Sequence, residues 1–289
     1  GVGRKLFLDY HYRKILTFTV KLLPTLRKIN PDVIIPVNGG WQTALVKLYC
    51  MIFGSKMVIS GQAGLGWDER WNLLCKPDAF VALTKRNCQW VKRISPKQRV
   101  EIIPNGVDLD IFTRGKQEKM KDFTLSKPII LCVAGGDEYK GIPETIRAVA
   151  KRKKGSLLVV GGNKKTYALG KSLLNDRFEQ IKVPHSQMPQ MYHLADVFTL
   201  VSSKSEAFGI AYLEAMASGL GVVAPDDVLR REIVGQAGIF VTNPKDSDEY
   251  SRKLSEALDK NWGNLPRKQV SKYSWDGVAD SYFKLLSSI

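Results

Sequence analysis

Ser203-Lys204-Ser205-Glu206-Ala207-Phe208-Gly209-Ile210-Ala211-Tyr212-Leu213-Glu214-Ala215-Met216-Ala217-Ser218-Gly219 is the stretch that decides how the rest of the chain is read. It holds two glutamates eight positions apart, a Phe-Gly pair just after the first, and a run of strong helix formers closed by a glycine. Ser203 or Ser205 can cap a helix whose free N–H groups lie near Phe208, Gly209 and Ile210, and Gly219 stands where a helix end favours a left-handed residue. Such an N-terminus attracts an anion, and Gly209 leaves no side chain between the backbone and a phosphate. Ile210, Leu213 and Ala217 form a stripe that faces a core and leaves Glu214 on another face. Glu206 then lies at the mouth of a site and Glu214 about two turns inside it.

Eight helical positions span roughly 12 Å at about 1.5 Å each. That exceeds the roughly 5 to 9.5 Å between the paired carboxyl groups of glycosidases, so the two glutamates are expected to have different jobs. Taken alone, two glutamates at this spacing also suit a solvated surface helix. With Phe208-Gly209 and the continuation Leu213 to Gly219, however, the string resembles the signature of the family 4 nucleotide-sugar glycosyltransferases, which have the GT-B fold.

The 289 residues, 44% hydrophobic, are enough for two domains. Lys and Arg outnumber Asp and Glu by 44 to 28, a formal charge of +16, which suits phosphorylated small molecules, an anionic membrane surface or nucleic acid. Nucleic acid ranks last, because no aromatic-basic RNA motif is present. The first part of the chain is the more basic, with 17 basic against 8 acidic residues up to Phe112. Cys50, Cys75, Cys88 and Cys132 show no close pairing, which argues against structural zinc and a disulfide framework and suits a reducing cytoplasm. No uncharged apolar run approaches the roughly 20 residues of a membrane span; Ile15 to Leu23 is broken by Lys21 and ends at Pro24.

The chain alternates strand and helix patterns twice, as parallel α/β sheets do. Gly1 to Asn30 reads as a basic amphipathic helix, which either packs on a sheet with its lysines in water or faces a membrane surface or acceptor. Strands at Val33–Val37, Lys56–Ser60, Ala79–Leu83 and Val100–Ile103 follow, with helices at Gln42–Phe53, Arg70–Cys75 and Lys85–Ile94. Gly61 to Trp67 is a glycine-rich loop. Pro104 to Phe112 reads as a hinge, followed by a Lys-rich segment to Lys127; Asp108 and Asp110 are read as solvent-facing rather than as metal ligands. The alternation restarts with a strand at Ile129–Ala134 and the loop Gly135-Gly136-Asp137-Glu138-Tyr139-Lys140-Gly141, which lacks Walker A and G-x-G-x-x-G spacing. Strands at Leu157–Val160, Val197–Val201, Gly221–Ala224 and Gly238–Val241 come next, with the segment Ile181-Lys182-Val183-Pro184-His185 between the first two, then a final amphipathic segment, Trp275–Ser287, with Val278, Tyr282 and Leu285 on one stripe. His185 stands beside a proline in a loop, where a structural histidine is commoner than a base.

The hinge Ile103–Phe112, the Lys140-Gly141 loop, the segment from Met188 to Ser203 and the motif from Glu206 onward, with Arg231-Glu232-Ile233-Val234-Gly235 beyond it, all resemble family 4. The resemblance implies a partial N-terminal Rossmann-like domain over 1–105, a donor-binding Rossmann-like domain over 106–272, and a C-terminal helix over 273–289 that packs back toward the first domain. It implies Lys140 and Glu206 as catalytic residues, with Gly136, Phe208, Gly209, Ile210, Glu214, Val183 and Gln62 around the donor. The diphosphate would sit on Lys140 and the N–H groups near Gly209 and Ile210, Glu206 on the sugar hydroxyls and Glu214 on the ribose. It also implies retention of anomeric configuration, no metal and no cofactor. The partners would be a nucleotide sugar, linked to UDP or GDP, and a sugar, lipid-linked or polysaccharide acceptor, in the cytoplasm or on the inner face of the cell membrane. Three departures stand out. Gly135 occupies the place of a usual arginine, Gln62 that of a usual histidine, and the first domain is short. They leave open a non-catalytic nucleotide-sugar-binding protein on the same fold, and Lys164, Lys165 or Arg230 as replacements for the arginine.

Overall fold

The structure, a computed structural model, describes residues 7, 9–37, 39–115, 125–203 and 206–289. Lys204, Ser205 and most of the Lys-rich segment expected before Lys127 lie outside the described residues. The chain divides into two compact units: the residues up to Pro104 together with Val278–Ile289, and Asn105–Gly277.

In the first unit, β1 (Val33–Ile34), β2 (Lys56–Ser60), β3 (Ala79–Ala82) and β4 (Val100–Ile102) form one parallel sheet in that order. Every residue of β3 is buried, as expected of a parallel strand covered on both faces. Strand β1 is shorter than the expected Val33–Val37, because Pro36 has no N–H to give to a ladder. Helix α1 (Tyr10–Ile29) begins where Asp9 accepts from the Tyr12 N–H and ends at Asn30 in the left-handed region. It lies within the expected helical stretch up to Asn30 and continues through Pro24, because the inward positions Ile15, Thr19 and Leu26 carry on across it. Helices α2 (Trp41–Phe53), α3 (Trp67–Leu74) and α4 (Lys85–Ile94) complete the alternation.

Helix α3 starts three residues earlier than expected, and Glu69 shows why. Its buried carboxylate accepts from the Ala63 N–H at 2.9 Å and from Asn72 Nδ2 at 3.0 Å, tying the glycine-rich loop to the helix. The last helix, α12 (Trp275–Leu286), returns the chain to this unit. Val278 and Leu285 share a core cluster with Val58, Ala79, Val81 and Ile103, and the Tyr282 hydroxyl donates to Ser60 Oγ at 3.0 Å.

The second unit holds a six-stranded parallel sheet of β5 (Ile129–Ala134), β6 (Ser156–Gly161), β7 (Phe178–Ile181), β8 (Val197–Thr199), β9 (Val222–Pro225) and β10 (Gly238–Val241), in the order β10-β9-β8-β5-β6-β7. Its helices are α5 (Ile142–Ala150), α6 (Lys164–Leu174), α7 (Met188–Leu194), α8 (Ile210–Ala217), α9 (Val228–Val234), α10 (Ser247–Asp259) and α11 (Leu265–Val270). Strand β7 is anchored by the fully buried Phe178 and ends at Ile181, so Val183 and Pro184 lie beyond the sheet. Asn105 to Phe112 is folded onto this unit rather than free. Val107 donates to the Tyr273 carbonyl at 2.9 Å, and Asp108 Oδ1 accepts from the N–H groups of Asp110 and Ile111 at 2.9 Å each, a local turn.

From β5 the chain steps outward through β6 and β7, then crosses back to build β8, β9 and β10 on the other side. The order therefore reverses between β5 and β8. In doubly wound sheets a ligand binds in the crevice beyond the carboxyl ends of the strands at that switch.

Candidate functional site

The loops that leave β5 and β8 are bound to each other at the switch. The Ser203 N–H donates to the Tyr139 carbonyl at 2.7 Å. Gly141 has φ of 71°, and a Cβ there would lie 2.5 Å from the Val201 carbonyl oxygen, so only glycine allows the β5 loop to lie against the end of β8. This closeness delivers Lys140 to Glu206: Nζ reaches Oε2 at 2.7 Å, with the side chains only 18% and 11% exposed. Burial pulls the Lys140 ammonium down, but the hydrogen bond and charge of Glu206 outweigh it, and the lysine is held above its ordinary value. The ammonium also lies 4.9 Å from the centre of the Tyr139 ring.

Helix α8 begins at Ile210 with Gly209 as its N-cap, at φ of 97° and with no side chain capping it. The expected cap by Ser203 is therefore corrected: its N–H is given to Tyr139 and its carbonyl accepts from Arg230 and Glu206, all of them contacts of the loop. A Cβ on Gly209 would press on the Tyr212 ring at 2.6 Å. Because Glu206 to Gly209 is not helical, the estimate of roughly 12 Å from helical rise does not apply to the two glutamates. What separates the two glutamates is their partners, Lys140 for Glu206 and Tyr192 with His185 for Glu214.

Glu214 is also placed differently from the expected helix face beside the core. Tyr212 through Ala217 are all buried, so α8 is enclosed almost all round, while Ile210, counted on the inward stripe, is 43% exposed. The Glu214 carboxylate accepts from the Tyr192 hydroxyl at 2.7 Å and lies 3.3 Å from His185 Nε2. Burial and then the Glu214 charge push the Tyr192 hydroxyl well above its ordinary value, so it stays protonated and donates. Sequence reasoning missed Tyr192. The signal available was a tyrosine on α7, a helix whose other apolar side chains are buried. The His185 side chain is exposed, and its ring meets Phe112 edge to face at 5.8 Å between centres.

The remaining expected residues divide. Gly136 lies at the carboxyl end of β5, where its carbonyl accepts from Asn163 Nδ2 at 2.6 Å. It lines a cavity of about 840 Å³ together with Asn163, Lys164, Lys165 and Arg147. Val183 is half-buried in the loop after β7. The Phe208 side chain is buried with its ring beside Tyr273, so what Phe208 can offer a ligand is backbone. Gln62 belongs to the first unit, where its side-chain amide donates to Ser60 Oγ at 3.1 Å. Arg230 does not replace the missing arginine. It is fully buried, and its guanidinium is given to Asp227, Ser202 and Ser203. Lys164 and Lys165 remain exposed at the start of α6. Among the described residues no group of three or more His, Cys, Asp or Glu is placed to hold a metal ion.

Residues 114–274, more than half of the chain, match the model of the family described as glycosyl transferases group 1. The lipopolysaccharide 1,2-N-acetylglucosaminetransferase of Salmonella typhimurium is 27% identical over 213 residues, 65% of this chain and 56% of that protein. The GDP-mannose-dependent monoacylated alpha-(1-6)-phosphatidylinositol monomannoside mannosyltransferase of Corynebacterium glutamicum is 28% identical over 214 residues, again 65% and 56%. The chain thus spans about half the length of these curated relatives. In fold it is similar to sucrose-phosphate synthase from Thermosynechococcus elongatus, with a TM-score of 0.80 at 21% identity over 94% of this chain and 77% of that one. It is also similar to Anabaena HepE in complex with UDP-glucose, at 0.79 and 18% over 94% and 82%. Two parallel α/β units with GT-B counterparts, and a family match that contains Lys140, Glu206 and Glu214, lead to one conclusion: the chain belongs to the glycosyl transferases group 1 family.

Proposed function

We propose that this chain is the core of a retaining, metal-independent glycosyltransferase of family 4 that moves a sugar from a nucleoside-diphosphate donor to a sugar, lipid-linked or polysaccharide hydroxyl. The observation that carries the reading is the ion pair of Lys140 and Glu206 at the switch point of a doubly wound sheet, beside the uncapped start of α8. An ammonium has three donors, and its bond to Glu206 uses only one of them, so the same group can also donate to a diphosphate. The first N–H groups of α8 add the partial positive charge of a helix start. Together they stabilise the charge that grows on the diphosphate as its bond to the anomeric carbon breaks, a task a metal performs elsewhere.

In the front-face course the acceptor oxygen bonds to the anomeric carbon on the side the diphosphate leaves, and its proton passes to the departing phosphate. Glu206, fixed by Lys140, holds donor-sugar hydroxyls, and Glu214 takes the ribose hydroxyls. The names of relatives support a hexose donor, and the UDP-glucose complex of HepE supports UDP as the first nucleotide to try.

The test is a thermal-shift and calorimetric screen of UDP- and GDP-sugars against the wild type, Lys140→Ala and Glu214→Ala. Specific binding raises the melting point by mass action. Loss of one charge-assisted contact is expected to weaken the donor about tenfold or more. Equal affinity in all three proteins removes the site assignment.

A further inference from the structure

The outer face of the first two helices is both basic and apolar. Helices α1 and α2 lie side by side: Gln42 in the first turn of α2 reaches Thr19 at 3.4 Å, and the Arg27 guanidinium lies 4.5 Å over the Phe53 ring. With Ile15, Thr19 and Leu26 turned inward, the helical period sends Arg13, Lys21 and Lys28 outward, and all three are exposed. On α2, Leu48, Met51 and Ile52 stand at i, i+3 and i+4 and are 53%, 72% and 63% exposed. Isolated apolar side chains on a surface are ordinary, but an aliphatic stripe on one helix, bordered by cations, marks a contact surface. The two helices span 20 and 13 residues and contain no Asp or Glu, and of their lysines and arginines Lys47 is paired with Asp78.

We propose that this face docks on an anionic lipid bilayer, with Leu48, Met51 and Ile52 entering the boundary between headgroups and acyl chains and Arg13, Lys21, Arg27 and Lys28 meeting anionic headgroups. Aliphatic side chains gain by leaving water there, and Lys or Arg gains from the negative surface potential. A second copy is a poor occupant, since two such faces opposed set cations against cations with no carboxylate between them. A nucleic acid is a poor one too, because the aliphatic centre gives bases nothing to stack on. None of these residues is among those assigned to the donor, so the two proposals fail independently.

The test is co-sedimentation of the 289-residue chain with vesicles of phosphatidylcholine alone or with phosphatidylglycerol added. Binding is expected to be roughly tenfold or more stronger on the anionic vesicles, to fall as salt rises, and to drop about tenfold in the double variant Leu48→Ser, Ile52→Ser. Met51→Gln alone serves if the double variant does not fold by circular dichroism, and nucleotide-sugar thermal shifts stay at wild-type values in either. Equal binding to neutral and anionic vesicles, or full binding by the folded variants, overturns the proposal. So does a dimer seen by light scattering that the same substitutions dissolve, since it would give the face to a second copy.

Discussion

Arg230 holds Ser202 by both backbone and side chain: its Nη2 donates to the Ser202 carbonyl at 3.0 Å and to Ser202 Oγ at 2.7 Å. The same nitrogen reaches the Ser203 carbonyl at 2.9 Å, and Nη1 reaches Asp227 Oδ2 at 2.8 Å. The residue that follows β8 into the Glu206 loop is thus fixed by a fully buried guanidinium arriving from α9. A planar fork suits these acceptors in a way that a single ammonium does not.

Arg230→Met is therefore expected to cost about 3 kcal/mol or more, since it takes the charged donor from Asp227 Oδ2 and the Ser202 carbonyl and one of two donors from the Ser203 carbonyl. Arg230→Lys is expected to recover only part of the loss. Urea denaturation followed by tryptophan fluorescence reads both. The folded fraction of Arg230→Met should also bind donor more weakly, because the loop that carries Glu206 is no longer held. Wild-type stability in Arg230→Met removes the idea that this guanidinium organises the loop.

Tyr192 and Glu214 give a second expectation. Tyr192→Phe takes the 2.7 Å donor from a carboxylate that is 8% exposed, which is expected to cost about 1 to 3 kcal/mol in the free protein. If Glu214 holds ribose hydroxyls, a bound nucleotide brings donors to the same oxygens. The gap in melting temperature between wild type and Tyr192→Phe should then narrow at saturating nucleotide. A gap that stays constant would place the ribose elsewhere.

Most of the architecture was legible because parallel α/β units write themselves as apolar strand runs alternating with longer amphipathic segments, and both sheets were placed on that basis. The candidate site was legible in its parts but not in its contacts. Lys140 and Glu206 were both named, yet a pair 66 positions apart depends on which strands become neighbours, and only the β5–β8 adjacency brings them together. Ser203 does not cap α8 because the helix starts only after Gly209, while Ser203 stands six positions upstream with its backbone held by the β5 loop and by Arg230. Arg230 looked like a free cation. Its burial comes from Asp227, Ser202 and Ser203, and charge alone cannot separate a buried arginine from a solvated one. Across Pro24 the amphipathic pattern was the better guide, because a continuous buried stripe outweighs one proline.

Glu69 supplies a pH dependence with a definite sign. Burial raises its carboxyl above the ordinary 4.5, and the hydrogen bonds from Asn72 and the Ala63 N–H oppose that rise without cancelling it. The folded chain therefore holds this proton more tightly than the unfolded chain does. The stability contributed by protonated Glu69 is fully present below the unfolded value and is lost as pH rises through the higher folded one. Glu69→Gln cannot titrate, and it keeps one oxygen for the Ala63 N–H while turning an amide toward Asn72, at a cost of about 1 kcal/mol. Wild type is thus expected to exceed Glu69→Gln in urea midpoint most at acid pH, with the difference shrinking steadily as pH rises from about 4.5 toward neutrality. Midpoints of both proteins across that range decide the matter. A difference that is flat, or that grows with pH, means that the carboxylate holding the Gly61–Gly66 loop is ionised throughout and that its hydrogen bonds outweigh its burial.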